Sequence, residues 1–176
     1  MLTVSETAAL LRTFDNVLIL THVRPDGDTV GCAAGLCAGL RALGKTAYLL
    51  PNPELTDTSA PYFLPYAAPE DFTPDRVVST DIATVGLFPD NALPYADRVD
   101  LAIDHHPSFT HFGKANIVRP EAAACGELVL EVIKALTELE RTDIAIVTGD
   151  LDYAIAMQMA QGGMVKMISA QCPYEQ

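Results

Sequence analysis

The chain of 176 residues carries a formal net charge of −12, and 49% of its residues are apolar. This length and composition suit one globular domain with a substantial core, and they exclude a disordered chain. The excess of acidic residues argues against a surface that coats long nucleic acids, because such a surface needs clustered cations. A phosphate-bearing ligand is not excluded, since divalent metal ions reverse the local field of an acidic site.

The sequence shows neither a membrane span nor an export signal. Its longest run of apolar residues and glycine, residues 30–40, is well short of the roughly 20 residues that a membrane span requires. The first residues lack the positive charge of a signal peptide, and the four cysteines show no CxxC spacing. We therefore predict a cytoplasmic protein with no membrane partner and with reduced, mostly buried thiols.

Helical and strand-like patterns alternate along the chain. Helices are predicted at residues 5–13, 29–43 and 121–139, and Gly44 ends the second of them. Strands are predicted at residues 16–21, 45–50, 76–80, 99–103 and 115–118, and residues 51–74 are predicted to be a loop with room for one short helix. This alternation predicts an α/β fold, a three-layer sandwich with a mostly parallel sheet flanked by helices.

Side chains that bind metals follow three of the predicted strands. His22 ends the first strand in the sequence HVRPDGD, Asp81 ends the strand at residues 76–80, and the segment Asp104-His105-His106 ends the strand at residues 99–103. The carboxyl ends of parallel strands form the ligand crevice of such sheets, so we expect these residues to meet at one edge.

Each of these residues also has an ordinary structural interpretation. Asp26 or Asp28 could be the N-cap of the following helix, Asp81 could cap a helix after its strand, and a single histidine is commonly a satisfied imidazole. The clustering favours a site, because three of the four histidines fall in these segments and only His111 does not.

The donor set indicates the chemistry. Carboxylates with one or two imidazoles suit Mn²⁺ or Mg²⁺ better than a structural zinc, which prefers tetrahedral cysteine and histidine ligands. Two such ions, roughly 3.5–4 Å apart, form a clamp for in-line attack of hydroxide on phosphorus. The residues by themselves therefore predict metal-dependent hydrolysis of a phosphate compound.

HVRPDGDTVG followed by IDHH resembles the DHH phosphoesterase family, which includes RecJ-like nucleases and bacterial oligoribonuclease/pAp phosphatases. The resemblance spans residues 16 to about 148 and includes the segment ANIVRPEAAACGE at residues 115–127. It implies a DHH domain that binds two Mn²⁺ ions, with Mg²⁺ as a substitute. It also implies that the nucleophile is a hydroxide held between the metals.

Residue roles follow from this resemblance. It implies that one Mn²⁺ is held by His22, Asp26 and Asp81, and the second by Asp28, Asp81 and His105, with Asp81 bridging. It implies that His106 faces the scissile phosphate as a catalytic group and that Asp104 orients the histidines. Arg24, Arg119 and Lys114 are candidate phosphate contacts, although each could be an ordinary solvated surface cation.

The C-terminal part departs from the family pattern. A further metal carboxylate is expected within a sequence close to TGxxTDTG, whereas this chain has Thr148-Gly149-Asp150-Leu151-Asp152. Asp150 is the first candidate to complete the second metal site and Asp152 is the other, although either could cap a helix at residues 152–160. A GGGH-like segment is missing. We therefore predict a DHH domain at residues 1–150, followed by a tail or remnant of a second domain at residues 151–176.

Three functions are consistent with these features. The first is a phosphoesterase that acts on small nucleotides or short oligonucleotides of the pAp, pApA or nanoRNA type, because the negative charge disfavours long duplexes. The second is a non-catalytic module that binds nucleotide or metal, and the third is a DHH-type pyrophosphatase or exopolyphosphatase. Family members are often dimers, so a homodimer is a further expectation.

Overall fold

The structure, a computed structural model, describes residues 1–137, in which five parallel strands form one sheet. The strands are β1 (Val17–Leu20), β2 (Ala47–Leu49), β3 (Arg76–Thr80), β4 (Val99–Asp104) and β5 (Ala115–Val118). The accompanying helices are α1 (Val4–Arg12), α2 (Gly27–Ala42), α3 (Ala60–Phe63) and α4 (Cys125–Thr137). No helix within this described part is long and apolar enough to cross a membrane.

The strand order places a topological switch beside β1. The order across the sheet is β2-β1-β3-β4-β5, and every neighbouring pair is parallel. The chain leaves β1 toward one side to form β2 and then returns to form β3 on the other side. A crevice therefore opens at the carboxyl ends of β1 and β3, the place where open α/β sheets bind ligands.

The two faces of the sheet bury different side chains because strand residues alternate in direction. Val17 and Ile19 of β1 pack in the core under α1, α2 and α4, whereas Leu18 and Leu20 face the opposite side. That second side is covered by 3₁₀ helices at Val85–Leu87 and Asp90–Arg98 and by aromatic rings that follow them. The predicted α/β fold, a parallel sheet flanked by helices, is confirmed.

Helix boundaries depend on local hydrogen bonds that the apolar periodicity does not reveal. Helix α2 begins at Gly27, two residues earlier than predicted, because the Asp26 side chain accepts hydrogen bonds from the amides of Asp28 and Thr29. Helix α4 begins at Cys125 rather than at residue 121, and the residues between form turns. The short helix that residues 51–74 could hold is α3, which continues into a 3₁₀ turn. The helix predicted at residues 152–160 lies outside the described residues.

Candidate metal centre

The three predicted segments meet in one cleft of about 350 Å³ at the carboxyl ends of β1, β3 and β4. These strands are adjacent in the sheet, so residues far apart in the sequence become neighbours. Seven of the predicted metal or substrate residues line this cleft: His22, Arg24, Asp26, Asp28, Asp81, His105 and His106.

Asp81 lies at the centre of this cleft and is only 2% exposed. Its backbone has φ +60°, a left-handed conformation that aspartate tolerates better than most residues. The Asp81 amide still donates to the Ile103 carbonyl at 2.9 Å, so the carboxylate is presented directly at the end of β3. One oxygen, Oδ1, lies 3.6 Å from His105 Nε2, and the other, Oδ2, lies 3.9 Å from His22 Nε2.

The environment of Asp81 favours a bound cation. Among residues 1–137, its buried Oδ1 finds no hydrogen-bond partner. Burial, followed by the nearby carboxylates of Asp28, Asp26 and Asp104, raises the pKa of Asp81 to about 8, against a smaller opposing effect of His22. A buried carboxylate without donors is costly unless it is paired or coordinates a metal. The residues present therefore fit a divalent cation.

Two groups of potential ligand atoms share Asp81. In His22, Asp26 and Asp81 the ligand atoms lie within 4.8 Å of one another, and the same holds for Asp81, His105 and His106. Each group combines carboxylate oxygen with imidazole nitrogen, a mixture suited to Mn²⁺ or Mg²⁺. The arrangement is consistent with two cations on either side of one carboxylate.

Asp26 combines the two roles that the sequence left as alternatives. Its Oδ1 caps α2 by accepting from two amides, and the same atom lies 3.6 Å from His22 Nε2. The His22 ring nitrogen Nδ1 lies 2.7 Å from the Val23 carbonyl, which leaves Nε2 facing the carboxylates. The interaction with His22 is the main cause that lowers the pKa of Asp26. Burial alone would lower the pKa of His22, but Asp26 and the Val23 carbonyl raise it.

Asp28 is held mainly by α4. The amides of Cys125 and Gly126 donate to its two oxygens at 2.8 and 3.0 Å, and Cys32 Sγ lies 3.3 Å from Oδ1. Its Oδ2 remains 3.8 Å from His105 Nε2. The compact group on this side of Asp81 therefore contains His106 where the sequence predicted Asp28. The two amides at the start of α4 are a feature that the sequence analysis missed.

Asp104 organises the two histidines that follow it. It is completely buried, and its Oδ1 accepts hydrogen bonds from the amides of His105 and His106 at 2.6 and 3.0 Å. The same oxygen lies 2.7 Å from His106 Nδ1, which leaves Nε2 as the free nitrogen of that ring. His105 uses its Nδ1 on the Ala122 carbonyl at 3.1 Å. The His106 side chain is 41% exposed and that of His105 only 18%, so His106 is the more accessible to a substrate.

The structure separates the three candidate cations. Arg24 lines the cleft with a left-handed backbone at φ +51°, and no hydrogen bond or ion pair engages it within residues 1–137. Arg119 does not reach the cleft: its guanidinium makes two 2.7 Å bonds to the carboxylate of Glu131 on α4. Lys114 binds Asp100 at 2.8 Å, also away from the cleft. Neither side chain lines the cleft in this structure, so its geometry favours Arg24 as the phosphate contact, and contact by Arg119 or Lys114 stays a prediction without such support.

Asp150 and Asp152 lie outside the described residues, so their predicted role as ligands stays a prediction. Asn52, which the sequence analysis passed over, is 8% exposed and donates hydrogen bonds to Thr21 Oγ1 and to the His22 carbonyl. A polar residue shortly after a buried strand was the available signal.

Comparisons with known proteins agree with this geometry. The chain is 32% identical over 143 residues to the bifunctional oligoribonuclease and PAP phosphatase NrnA of Thermus thermophilus, an alignment that covers 77% of this chain and 42% of that protein. It is 29% identical over 126 residues to the uncharacterized protein MG371 homolog of Mycoplasma pneumoniae, covering 68% of this chain and 38% of that protein. The chain thus spans about two fifths of the length of these relatives.

A solved structure shares the fold. An exopolyphosphatase-related protein from Bacteroides fragilis superposes with a TM-score of 0.67 at 22% identity, covering 92% of this chain and 50% of that one. The profile of the DHH family, N-terminal domain, matches residues 16–162, which include every residue of the cleft. The chain belongs to the DHH family.

Proposed function

We propose that the chain provides the metal-binding core of a divalent-metal-dependent phosphoesterase that acts on small nucleotides or short oligonucleotides. The observation that carries this proposal is the buried Asp81 Oδ1, which has no hydrogen-bond partner in the described part of the chain and is surrounded by imidazoles and carboxylates from three strand ends. Membership of the DHH family and the similarity to an oligoribonuclease and PAP phosphatase support the reaction class.

The metal ligands follow from the cleft. We assign His22, Asp26 and Asp81 to one Mn²⁺. We assign Asp81 and His105 to a second Mn²⁺, with Asp28 beside His105. Asp150 is the remaining predicted ligand of this second ion. Mg²⁺ suits the same donors. When bound, the cations would lower the pKa of a water molecule and neutralise charge on the phosphate.

The remaining residues act on the substrate. The His106 Nδ1–H is held by Asp104, so the exposed Nε2 is available to the scissile phosphate or to a leaving oxygen. The Arg24 guanidinium lies at the cleft, where no side chain of residues 1–137 engages it, and it would bind a phosphate oxygen with a charge-assisted hydrogen bond. Asp104 touches no substrate in this scheme and serves to orient the histidines.

The acidic chain favours small substrates. A net charge of −12 repels long polyanions, whereas a cleft of about 350 Å³ lined by Arg24 suits a compound with few phosphates. We retain pAp, pApA and nanoRNA as the substrates to test first. A homodimer and a cytoplasmic location stay predictions.

The test is release of nucleotide and phosphate from pAp, pApA and pyrophosphate by the 176-residue chain with Mn²⁺. His105→Ala removes a ligand, and His111→Ala is the matched control because His111 is exposed in a loop outside the cleft. We expect turnover of the nucleotides that is lost in His105→Ala and kept in His111→Ala.

Other results would redirect the proposal. Turnover of pyrophosphate alone would indicate a DHH-type pyrophosphatase. Mn²⁺ binding without turnover of any substrate would indicate a binding module. Equal activity of His105→Ala and the unchanged chain would refute the metal assignment.

A further inference from the structure

The His22 backbone lies just beyond the region where β1 pairs with β2. The last backbone hydrogen bond between these segments runs from the Leu50 amide to the Ile19 carbonyl at 2.9 Å. Beyond it, the side chain of Asn52 makes the connection: its Nδ2 donates to Thr21 Oγ1 at 3.0 Å and to the His22 carbonyl at 2.9 Å. The Asn52 side-chain amide thus extends the connection between the two segments as far as His22, a proposed metal ligand.

Asn52 is itself held firmly. It is 8% exposed, and its Oδ1 accepts a hydrogen bond from the Glu54 amide at 3.0 Å, so both ends of the amide are engaged. This fixes which end of the side chain is the donor. A buried amide with all its partners in place is rigid and costly to disturb.

Other contacts of the His22 segment approach from different sides. The Val23 amide donates to the Leu87 carbonyl at 2.7 Å from the segment after β3. The His22 Nδ1 lies 2.7 Å from the Val23 carbonyl, which turns Nε2 toward Asp26 and Asp81. Asn52 is therefore the anchor from the β2 side, and without it the His22 carbonyl loses its connection to that strand.

We propose that Asn52 is a positioning residue for the metal centre and sets the affinity for the cation bound by His22, Asp26 and Asp81. The inference rests on the proposed metal ligation by His22. Asn52 touches neither cation nor substrate; it acts through the backbone of the ligand. Partners that orient metal ligands typically change metal affinity by 10–100-fold when they are mutated, and we expect about tenfold here because the contact is to the backbone.

The experiment is a titration of the metal-free chain with Mn²⁺, in which the electron paramagnetic resonance signal of the free ion is measured after each addition. Asn52→Ala removes the anchor, and Asn52→Ser is a milder version that leaves a hydroxyl too short to reach both partners. We expect the affinity of one of the two Mn²⁺ ions to fall about tenfold. Thermal unfolding in the absence of metal establishes that each variant is folded.

Two controls separate positioning from general loosening. Thr21→Val removes the neighbouring hydrogen bond of the same cluster but leaves Asn52 on the His22 carbonyl, so Mn²⁺ affinity should change less than about twofold. Asn116→Ala removes an asparagine that binds the backbone of Gly113 near the start of β5, away from the cleft, and should leave the affinity unchanged.

The outcomes are distinct. Unchanged Mn²⁺ affinity in Asn52→Ala, or an equal loss in Thr21→Val, would overturn the positioning role while leaving the proposed function intact. Absence of Mn²⁺ binding by the unchanged chain would overturn the proposed function together with this inference.

Discussion

Replacing Asp81 with asparagine should stabilise the metal-free protein while removing its response to metal. The substitution keeps the size of the side chain and removes a buried charge. Burial and neighbouring carboxylates raise the pKa of Asp81 from an ordinary 3.8 to about 8, so the folded chain holds a proton there that the unfolded chain releases. The contribution of this group to stability is therefore complete below pH 3.8 and is lost as the pH rises through 8.

The magnitude follows from the pKa. About three pH units separate the ordinary pKa of 3.8 from pH 7, and each unit costs the folded state about 1.4 kcal/mol of stability. The stability lost at pH 7 is therefore at most roughly 4 kcal/mol. Protonation of His22, whose pKa is raised by Asp26 and the Val23 carbonyl, offsets part of it. We expect Asp81→Asn to raise the free energy of unfolding of the metal-free protein by about 1–3 kcal/mol at pH 7. For a chain of this size each kcal/mol shifts Tm by about 2–4 °C.

The assay is thermal unfolding after chelation, from pH 5 to pH 9, with and without Mn²⁺. The Tm of the unchanged chain should fall with rising pH more steeply than that of Asp81→Asn. Mn²⁺ at 100 times its Kd should stabilise the unchanged chain by about 2.7 kcal/mol and leave Asp81→Asn nearly unaffected.

The matched control is a buried carboxylate that has hydrogen-bond partners, for which the change to asparagine should have the opposite effect on stability. Asp100 is 8% exposed and is bound by Lys114 Nζ at 2.8 Å and by the Val77 amide at 3.0 Å. Asp100→Asn should therefore destabilise the protein, by about 1–3 kcal/mol. The reasoning would be refuted if Asp81→Asn lowered the Tm of the metal-free protein at pH 8, or if Mn²⁺ stabilised it as much as the unchanged chain.

Two further predictions concern the substrate side of the cleft. Asp104→Asn should lower kcat roughly 100-fold, because the His106 Nδ1–H then donates to a neutral amide oxygen instead of a carboxylate that stabilises a charged imidazole. Mn²⁺ affinity measured by titration should change only a few-fold, and loss of Mn²⁺ binding would instead make Asp104 part of the metal site. Arg24→Ala should raise KM for pAp roughly tenfold in steady-state kinetics, because it removes one charge-assisted hydrogen bond. Arg119→Ala should not alter KM, because Arg119 is paired with Glu131. An equal increase of KM in both variants would contradict the placement of Arg24.

The apolar strand segments and the helical patterns were readable because burial imposes them locally. All five strands lie where the sequence predicted them, and the parallel sheet follows from their alternation with helices. The predicted helix boundaries were less accurate where a side-chain hydrogen bond sets the first residue of the helix. Asp26 starts α2 two residues early by capping it, and the start of α4 at Cys125 coincides with the binding of its amides to Asp28, 97 residues away in the sequence.

The sequence by itself determined which side chains stand at the strand ends, because each follows an apolar run directly: His22, Asp81 and the Asp104-His105-His106 segment. Only the tertiary structure decided which of them lie close enough to share a cation, since that depends on β1, β3 and β4 being neighbours in the sheet. The partners of Arg119 and Asn52 were likewise beyond the sequence. A charged or amide side chain binds whatever the fold brings within about 3 Å, and that neighbour is set by strand order and helix packing, which local patterns do not encode.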